Sequence, residues 1–282
     1  VIGNAEELVF PRNEEEVIKA LQEANLENKR VTISGAGTGI TGSRVPLGGI
    51  VLSMEEYTQL NRLPRSNEEL ITIRENGKIF SIIIGRDEKG ENYAIAPPGI
   101  PLRIFKKVVE DKGLFYPVDP TETNSFIGGN VATNASGSRT FKYGSTRDYV
   151  RRLRIVLPIG EVLEIKRGKH FFKDNIAEIH TGKGLIRIEI PKYEMPKVEK
   201  NAAGYYIKEN MDLIDLFIGS EGTLGVFTEI EIKLIKKPNV INAVFAFFDE
   251  ETKAVDFAKE IRSEARKGEL QIMAIEFFDK NS

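Results

Sequence analysis

The sequence predicts an α+β protein, and three observations carry that prediction. Apolar residues recur at helical spacing in a few separated stretches. Strand-like runs arrive in groups joined by short turn signals, as antiparallel hairpins do. The 282 residues, 41% apolar and 29% charged, supply an ordinary globular core for one large domain or two modest ones.

Asn13 ahead of Glu14, Glu15 and Glu16 reads as an N-cap with acids in the first turn, and Val17, Ile18, Leu21 and Ala24 then recur at helical spacing. Val31 to Ser34 follows as a strand and runs into a glycine loop; Gly48-Gly49 leads to a second strand at Ile50 to Ser53. Leu70 to Arg74, Lys78 to Ile84 and Tyr93 to Ala96 read as hairpin strands, divided by Glu75-Asn76-Gly77 and Asp87-Glu88-Lys89-Gly90. Pro97-Pro98-Gly99 ends the last of them, and a helix with Leu102, Phe105, Val108 and Val109 on one face stops at Gly113. Val150 to Leu157 and Glu161 to Lys166 pair across Pro158-Ile159-Gly160, and Ile186 to Ile190 is a further short strand. A helix over Met211 to Phe217 precedes a strand from Val226 to Ile235 with alternating Glu229, Glu231 and Lys233. Beyond Lys236-Lys237-Pro238-Asn239 comes a strand, helix, strand unit: Ala243 to Phe248, Glu250 to Lys267 and Leu270 to Phe278. That unit is half a domain, because a lone β-α-β leaves a sheet edge and one face uncovered.

Forty basic against forty-two acidic side chains give no field to draw in nucleic acid or an anionic membrane. The absence of cysteine excludes disulfides, thiolate zinc sites, iron–sulfur ligation and a cysteine nucleophile. Apolar stretches such as Phe80 to Gly85 and Asn242 to Phe248 fall far short of a membrane span, so no transmembrane segment is expected. The cytoplasm fits best, with a peripheral membrane location through a partner as the alternative. His170 and His180 sit among Lys169, Lys173 and Lys183, where solvated or structural roles are expected, and no histidine–carboxylate spacing marks a metal site.

Three small-residue segments carry the functional signal: Gly35-Ala36-Gly37-Thr38-Gly39-Ile40-Thr41-Gly42, Ser125 to Gly137, and Gly219 to Gly225. Clusters of glycine beside strands imply a ligand pressed against bare backbone, and their spread over the chain implies a long ligand. Gly37, Gly39 and Gly42 satisfy G-x-G-x-x-G, but Arg44, Val45-Pro46 and Gly48-Gly49 lead to a strand instead of a helix, which rejects a nicotinamide-dinucleotide site. Ser43 after Gly42 likewise rejects a P-loop. What remains is a concave run of backbone N–H groups suited to an anion, with Thr38 and Thr41 as hydroxyl donors. In the second segment Thr121, Thr123, Asn124, Ser125, Asn130, Thr133, Asn134 and Ser136 offer uncharged polar groups to a flat heterocycle and its sugar chain. Glu221 is expected to be buried between its glycines, and so paired or reading a ligand donor.

These segments, together with Asp119-Pro120, Lys142-Tyr143-Gly144, Asp148, Val150 and Lys200-Asn201-Ala202-Ala203-Gly204-Tyr205, resemble the FAD-linked oxidases of the vanillyl-alcohol oxidase and p-cresol methylhydroxylase type. Among them the glycolate oxidase flavin subunit and D-lactate dehydrogenase branch is the most similar, over about Pro11 to Asn281. The resemblance implies an FAD-binding domain over 1–238, with subdomains of about 1–99 and 100–238, and a partial cap domain over 239–282. It implies cofactor contacts from Gly35 to Gly42, from Pro98, Pro120, Thr121, Ser125, Gly128, Gly129, Asn134, Ser136, Gly137, Tyr143, Gly144 and Val150, and from Glu221, Gly222 and Val226. Some members attach FAD through a histidine in the first loop; this loop has none, so noncovalent FAD is expected.

The activity implied is hydride transfer from a small 2-hydroxy acid such as D-lactate or glycolate to FAD, with the electron acceptor unassigned. Arg139, Lys142 and Tyr143 are the polar groups beside a flavin segment, and none is assigned as catalytic. Relatives continue well past Phe277 to Ser282, so a shortened chain or one half of a split enzyme is expected. The rival reading is a catalytically incomplete FAD-binding module that needs a partner subunit. A third is a flavin-dependent reductase of the cell-wall enolpyruvyl type. The stretch from Tyr57 to Asn92 is longer than the family usually shows and has no assigned role.

Overall fold

The computed structural model describes residues 2–192, 194–198, 201–268 and 270–279. Lys200 of the resemblance, Val1, and residues 280–282 of the expected cap lie outside them. The chain opens with β1 (Glu7–Val9), α1 (Glu14–Leu26), β2 (Val31–Ser34) and β3 (Ile50–Ser53). The strands form a parallel sheet in the order β1-β3-β2. Asn13 caps α1 as expected: its Oδ1 accepts from the Glu16 backbone N–H at 2.9 Å. The apolar stripe of α1, Val17, Ala20 and Leu21, packs with Leu52, Met54, Val156 and Val226, which ties this layer to the strands that follow.

Next come β4 (Glu68–Glu75), β5 (Lys78–Arg86), β6 (Asn92–Ala96), α2 (Leu102–Asp111), β7 (Leu114–Phe115), α3 (Ile127–Ala132), α4 (Thr140–Tyr143), β8 (Val150–Val156) and β9 (Val162–Lys166). Then follow β10 (Ile176–Thr181), β11 (Gly184–Glu189), α5 (Ile214–Phe217), β12 (Val226–Lys233), β13 (Ile235–Lys236) and α6 (Glu251–Lys267). A six-stranded antiparallel sheet runs β4-β5-β6-β12-β8-β9, drawing strands from both sides of residue 99. One face carries Ile230, Ile232, Leu153 and Phe80 and packs against Phe105 and Val109 of α2 and Ile127 and Val131 of α3.

The opposite face is charged. On central β12, Glu229 and Glu231 stand opposite Arg154 and Arg152 of β8. Arg152 bonds both carboxylates, so these buried acids are paired, as burial demands. The stretch from Tyr57 to Asn92, which had no assigned role, completes this network. Glu68, its side chain 1% exposed, accepts from Arg62 Nη1 and Nη2, each at 2.8 Å, from the Arg65 N–H at 2.8 Å and from the Tyr93 hydroxyl at 2.9 Å. Burial alone would push the Glu68 carboxyl up, but these donors outweigh it and hold its pKa at about 2, against an ordinary 4.5. A carboxyl depressed by folding stabilises the fold above its unfolded pKa and loses that contribution as pH falls through the folded value. Glu68→Gln is therefore expected to cost about 2 kcal/mol at neutral pH and to flatten the loss of stability between pH 4.5 and about 2. Urea unfolding of both proteins at pH 7 and pH 3 checks this.

Several elements differ from expectation. The second small-residue segment contains α3, a helix in a region that reads as a loop. Its first turn is held from outside: the N–H groups of Ile127 and Gly128 donate to Ile100 O (3.0 Å) and Pro98 O (2.9 Å). Strands β1, β7, β10 and β13 are too short or too polar to stand out in the sequence. At the C-terminal end α6 forms, but Ala243 to Phe248 and Leu270 to Phe278 adopt no strand. A strand needs a hydrogen-bonded neighbour, and neither segment has one among the described residues.

Candidate functional site

The three segments converge on one cleft, between the end of β2, α3 and the start of β12. Of the expected contacts, Gly35, Ala36, Gly37, Thr38 and Gly39 line it from the first segment. Ser125, Gly128 and Gly129 line it from the second, Glu221, Gly222 and Val226 from the third, and Pro98 from the turn after β6. The third segment docks on the second through backbone bonds: Gly219 N–H to Val131 O at 3.0 Å and Glu221 N–H to Ala132 O at 2.8 Å. Gly35 meets α3 directly, since a side chain there would reach the Gly129 Cα at 3.9 Å. The space between the segments, counting its open mouth, is about 890 Å³.

The glycines divide by what their missing side chains would meet. At Gly128 a Cβ would strike Pro98 at 2.7 Å, and at Gly225 it would strike Ile155 at 2.7 Å, so these two are glycine for internal packing. Gly39 and Gly129 are different: nothing lies within 4 Å of a Cβ at either, and neither has a positive φ. Nothing in the protein requires glycine there, although Ala would favour the helix at 129 by about 1 kcal/mol. Bare backbone facing empty cleft is what a ligand lying against it needs.

The polar groups agree. None of the backbone N–H groups of residues 36–42 bonds to the protein among the described residues. Ser125 Oγ and Asn130 Nδ2 are buried without a partner among the described residues, and both residues line the cleft. An unpaired buried donor costs about 1–3 kcal/mol unless something bonds it. A long ligand with a phosphate-bearing end and a polar-edged ring would satisfy both sets.

Other expected contacts lie outside the cleft lining. Ile40 is 99% exposed at the loop tip, Thr41 beside it is exposed, and the Gly42 carbonyl accepts from Val45 N–H to close the turn. Thr121 is exposed; Pro120 and Ser136 are half-buried, and Gly137 packs on the Asp119–Pro120 backbone. Tyr143 sets its ring edge-on to Phe115 at 6.2 Å, Gly144 ends α4 with φ +81°, and Val150 is buried in the core at the head of β8. Asn134, in a left-handed conformation at φ +48°, accepts the Arg147 N–H at 2.9 Å, which makes it a clamp within the chain.

Arg147 is the hub of that clamp. Its guanidinium bonds the Asp215 carboxylate (3.0 Å) and backbone carbonyl and the Ile218 carbonyl, and lies 4.2 Å from the Tyr206 ring centroid. Burial pushes its pKa down, and Asp215 opposes that. Arg167 also pairs with Asp215, at 3.0 Å, so Arg147→Ala leaves that carboxylate a partner but strips the Asp215 and Ile218 carbonyls of their donor, and it is expected to lower stability by about 2 kcal/mol. Thermal unfolding of the apoprotein checks this.

Glu221 corrects an expectation. It is exposed, with φ +52°, because its backbone is what docks on α3 while the carboxylate turns to solvent. Arg139 ion-pairs with Asp119 at 3.4 Å, and Lys142 bonds Gln271 at 2.8 Å; neither lines the cleft. His170 and His180 are also outside it. Thr133 and Asn130, named among the polar groups of the second segment, also line the cleft; sequence reasoning missed Ser43 and Arg44, just past the first glycine loop, and Phe126 and Phe227. A cation two residues after Gly42 was the available signal.

Bare backbone, unpaired donors and a cleft between a parallel layer and an antiparallel sheet define a protein that binds a dinucleotide-type cofactor. Residues 5–166 match the FAD binding domain family, and the chain belongs to it. It is similar to D-lactate dehydrogenase of Anaerostipes hadrus, 34% identical over 86% of this chain and 39% of that protein. It is similar also to glycolate oxidase subunit GlcD of Bacillus subtilis, 30% identical over 97% of this chain and 45% of that protein. Among solved structures, alkyldihydroxyacetonephosphate synthase shares the fold with a TM-score of 0.58 at 22% identity, over 92% of this chain and 37% of that one. The chain thus spans less than half the length of these relatives. Among the described residues, no helix is long and apolar enough to cross a membrane.

Proposed function

We propose that this chain holds FAD noncovalently for an oxidoreductase that takes a hydride from a small 2-hydroxy acid of the D-lactate or glycolate class. The observation that carries the reading is the cleft, where a Cβ at Gly39 or Gly129 would meet no atom within 4 Å and Ser125 Oγ and Asn130 Nδ2 lack partners among the described residues. The cleft-lining residues fit FAD: the first loop's N–H groups suit the diphosphate, and the second segment's donors suit the flavin edge and ribityl chain. The names of the two similar proteins support the substrate class. When bound, FAD supplies the two-electron acceptor for hydride leaving the hydroxyl-bearing carbon.

What this chain contributes is binding and orientation. Its cleft lining offers no cysteine, histidine or tyrosine for covalent attachment among the described residues. Residues 1–238 form the cofactor domain in this reading and 239–282 begin the substrate cap; the expected subdomain division near residue 99 does not follow the sheet, since β6 pairs directly with β12. The reaction also needs a base for the hydroxyl proton and cations for the substrate carboxylate. The charged cleft-lining side chains are Arg44 and Glu221, and no base is assigned to either.

A second reading, an FAD-holding module completed by further polypeptide or a partner subunit, is favoured by one observation. Phe245, Phe247, Phe277 and Phe278 around α6 are 77%, 91%, 51% and 67% exposed. Anaerobic titration of the FAD-loaded protein with D-lactate, glycolate and longer 2-hydroxy acids separates the two. Bleaching of the flavin by one of them supports the enzyme. No bleaching by any of them supports the module, and bleaching by NADPH instead would point to the reductase class.

A further inference from the structure

We infer that Arg44, seated over the bare Cα of Gly37, is the counter-charge for the cofactor's diphosphate. The inference rests on the FAD reading of the cleft. Arg44 lines the cleft beside the first glycine loop, and its guanidinium lies over the bare Cα of Gly37, where Nη2 stands 2.7 Å from the place a Cβ would occupy. The positive φ of 77° requires glycine at 37, and the absence of a Cβ leaves the guanidinium this seat. The guanidinium meets no carboxylate among the described residues, and the hydrogen bond it makes, Nη1 to Ser34 Oγ, is long at 3.4 Å. A cation held against a loop whose N–H groups are themselves unpaired forms an anion site with both charge and directed donors. Glu221, the other charged residue of the lining, belongs to the opposite segment and is exposed. A guanidinium fork matches two phosphate oxygens at once, which fits the diphosphate better than the neutral flavin and ribityl portions.

The test compares wild type, Arg44→Ala and Arg44→Lys apoprotein in binding to FAD, to ADP, which keeps the diphosphate, and to riboflavin, which lacks it. Arg44→Ala is expected to weaken FAD and ADP about tenfold or more while leaving riboflavin unchanged. It is also expected to reduce the salt dependence of FAD binding. Arg44→Lys should recover part of the loss. Equal weakening of riboflavin and FAD, or an unchanged FAD affinity, would overturn the assignment of Arg44 while leaving the FAD reading intact. Failure of wild type to bind FAD at all would overturn both. Arg44 is exposed and holds no core contact, so a thermal midpoint matching wild type is expected for both variants.

Discussion

Gly129→Leu should abolish useful FAD binding in a protein that folds as well as wild type. A Cβ at 129 meets no atom within 4 Å, so the side chain leaves the helix into open cleft, and the backbone there is ordinary helix. Leu is also a better helix former than Gly, by most of the roughly 1 kcal/mol that separates Gly from Ala. The room it would fill is the cleft floor opposite Gly35. Displacing the cofactor from that floor is expected to cost at least 100-fold in affinity, or about 2.7 kcal/mol. Isothermal titration with FAD and a melting curve of the apoprotein read the two effects separately. Retained affinity in a well-folded variant would mean that the ligand does not lie on α3. Gly128→Leu is the contrasting control: it strikes Pro98 and should unfold the protein regardless of ligand.

The second large effect concerns Asn130. Its Nδ2 is buried without a partner, and the residue is 4% exposed. Without ligand, that donor is a standing cost, so Asn130→Leu is expected to stabilise the apoprotein by about 1 kcal/mol. With FAD the sign reverses: a partner for the ligand is lost, and affinity should fall about 10- to 100-fold. Opposite signs in stability and binding are the mark of a polar group retained for a ligand. A loss of both would mean that Asn130 bonds within the protein. Ser125→Ala, which removes the orphaned cleft hydroxyl, should show the same signs at smaller size.

Much of this was legible in the sequence because its cues are local. Asn13 with three acids fixed the start of α1. Val31 to Ser34 and Ile50 to Ser53 gave β2 and β3 to the residue, since β-branched runs bounded by glycine leave little choice. The glycine segments announced a cleft because glycine clusters are rare without cause. What stayed hidden depends on distant partners. Helix α3 contains Gly128-Gly129, which argues against a helix locally, yet carbonyls at 98 and 100 hold its first turn. Asn134 reads like a ligand group among its polar neighbours, and only the fold sets it on Arg147. Glu221 reads as buried because glycines flank it, whereas the burial belongs to its backbone. The strand-like patterns at 243–248 and 270–278 find no pairing neighbour among the described residues, so the period in sequence had no ladder to join.

The most direct test is equilibrium titration of the purified apoprotein with FAD, followed by denaturation of the complex. The cleft predicts saturable binding of one FAD per chain, blocked by Gly129→Leu, with all of the flavin released into solution when the chain unfolds. Absence of saturable binding, or flavin that remains on the denatured chain, would contradict it.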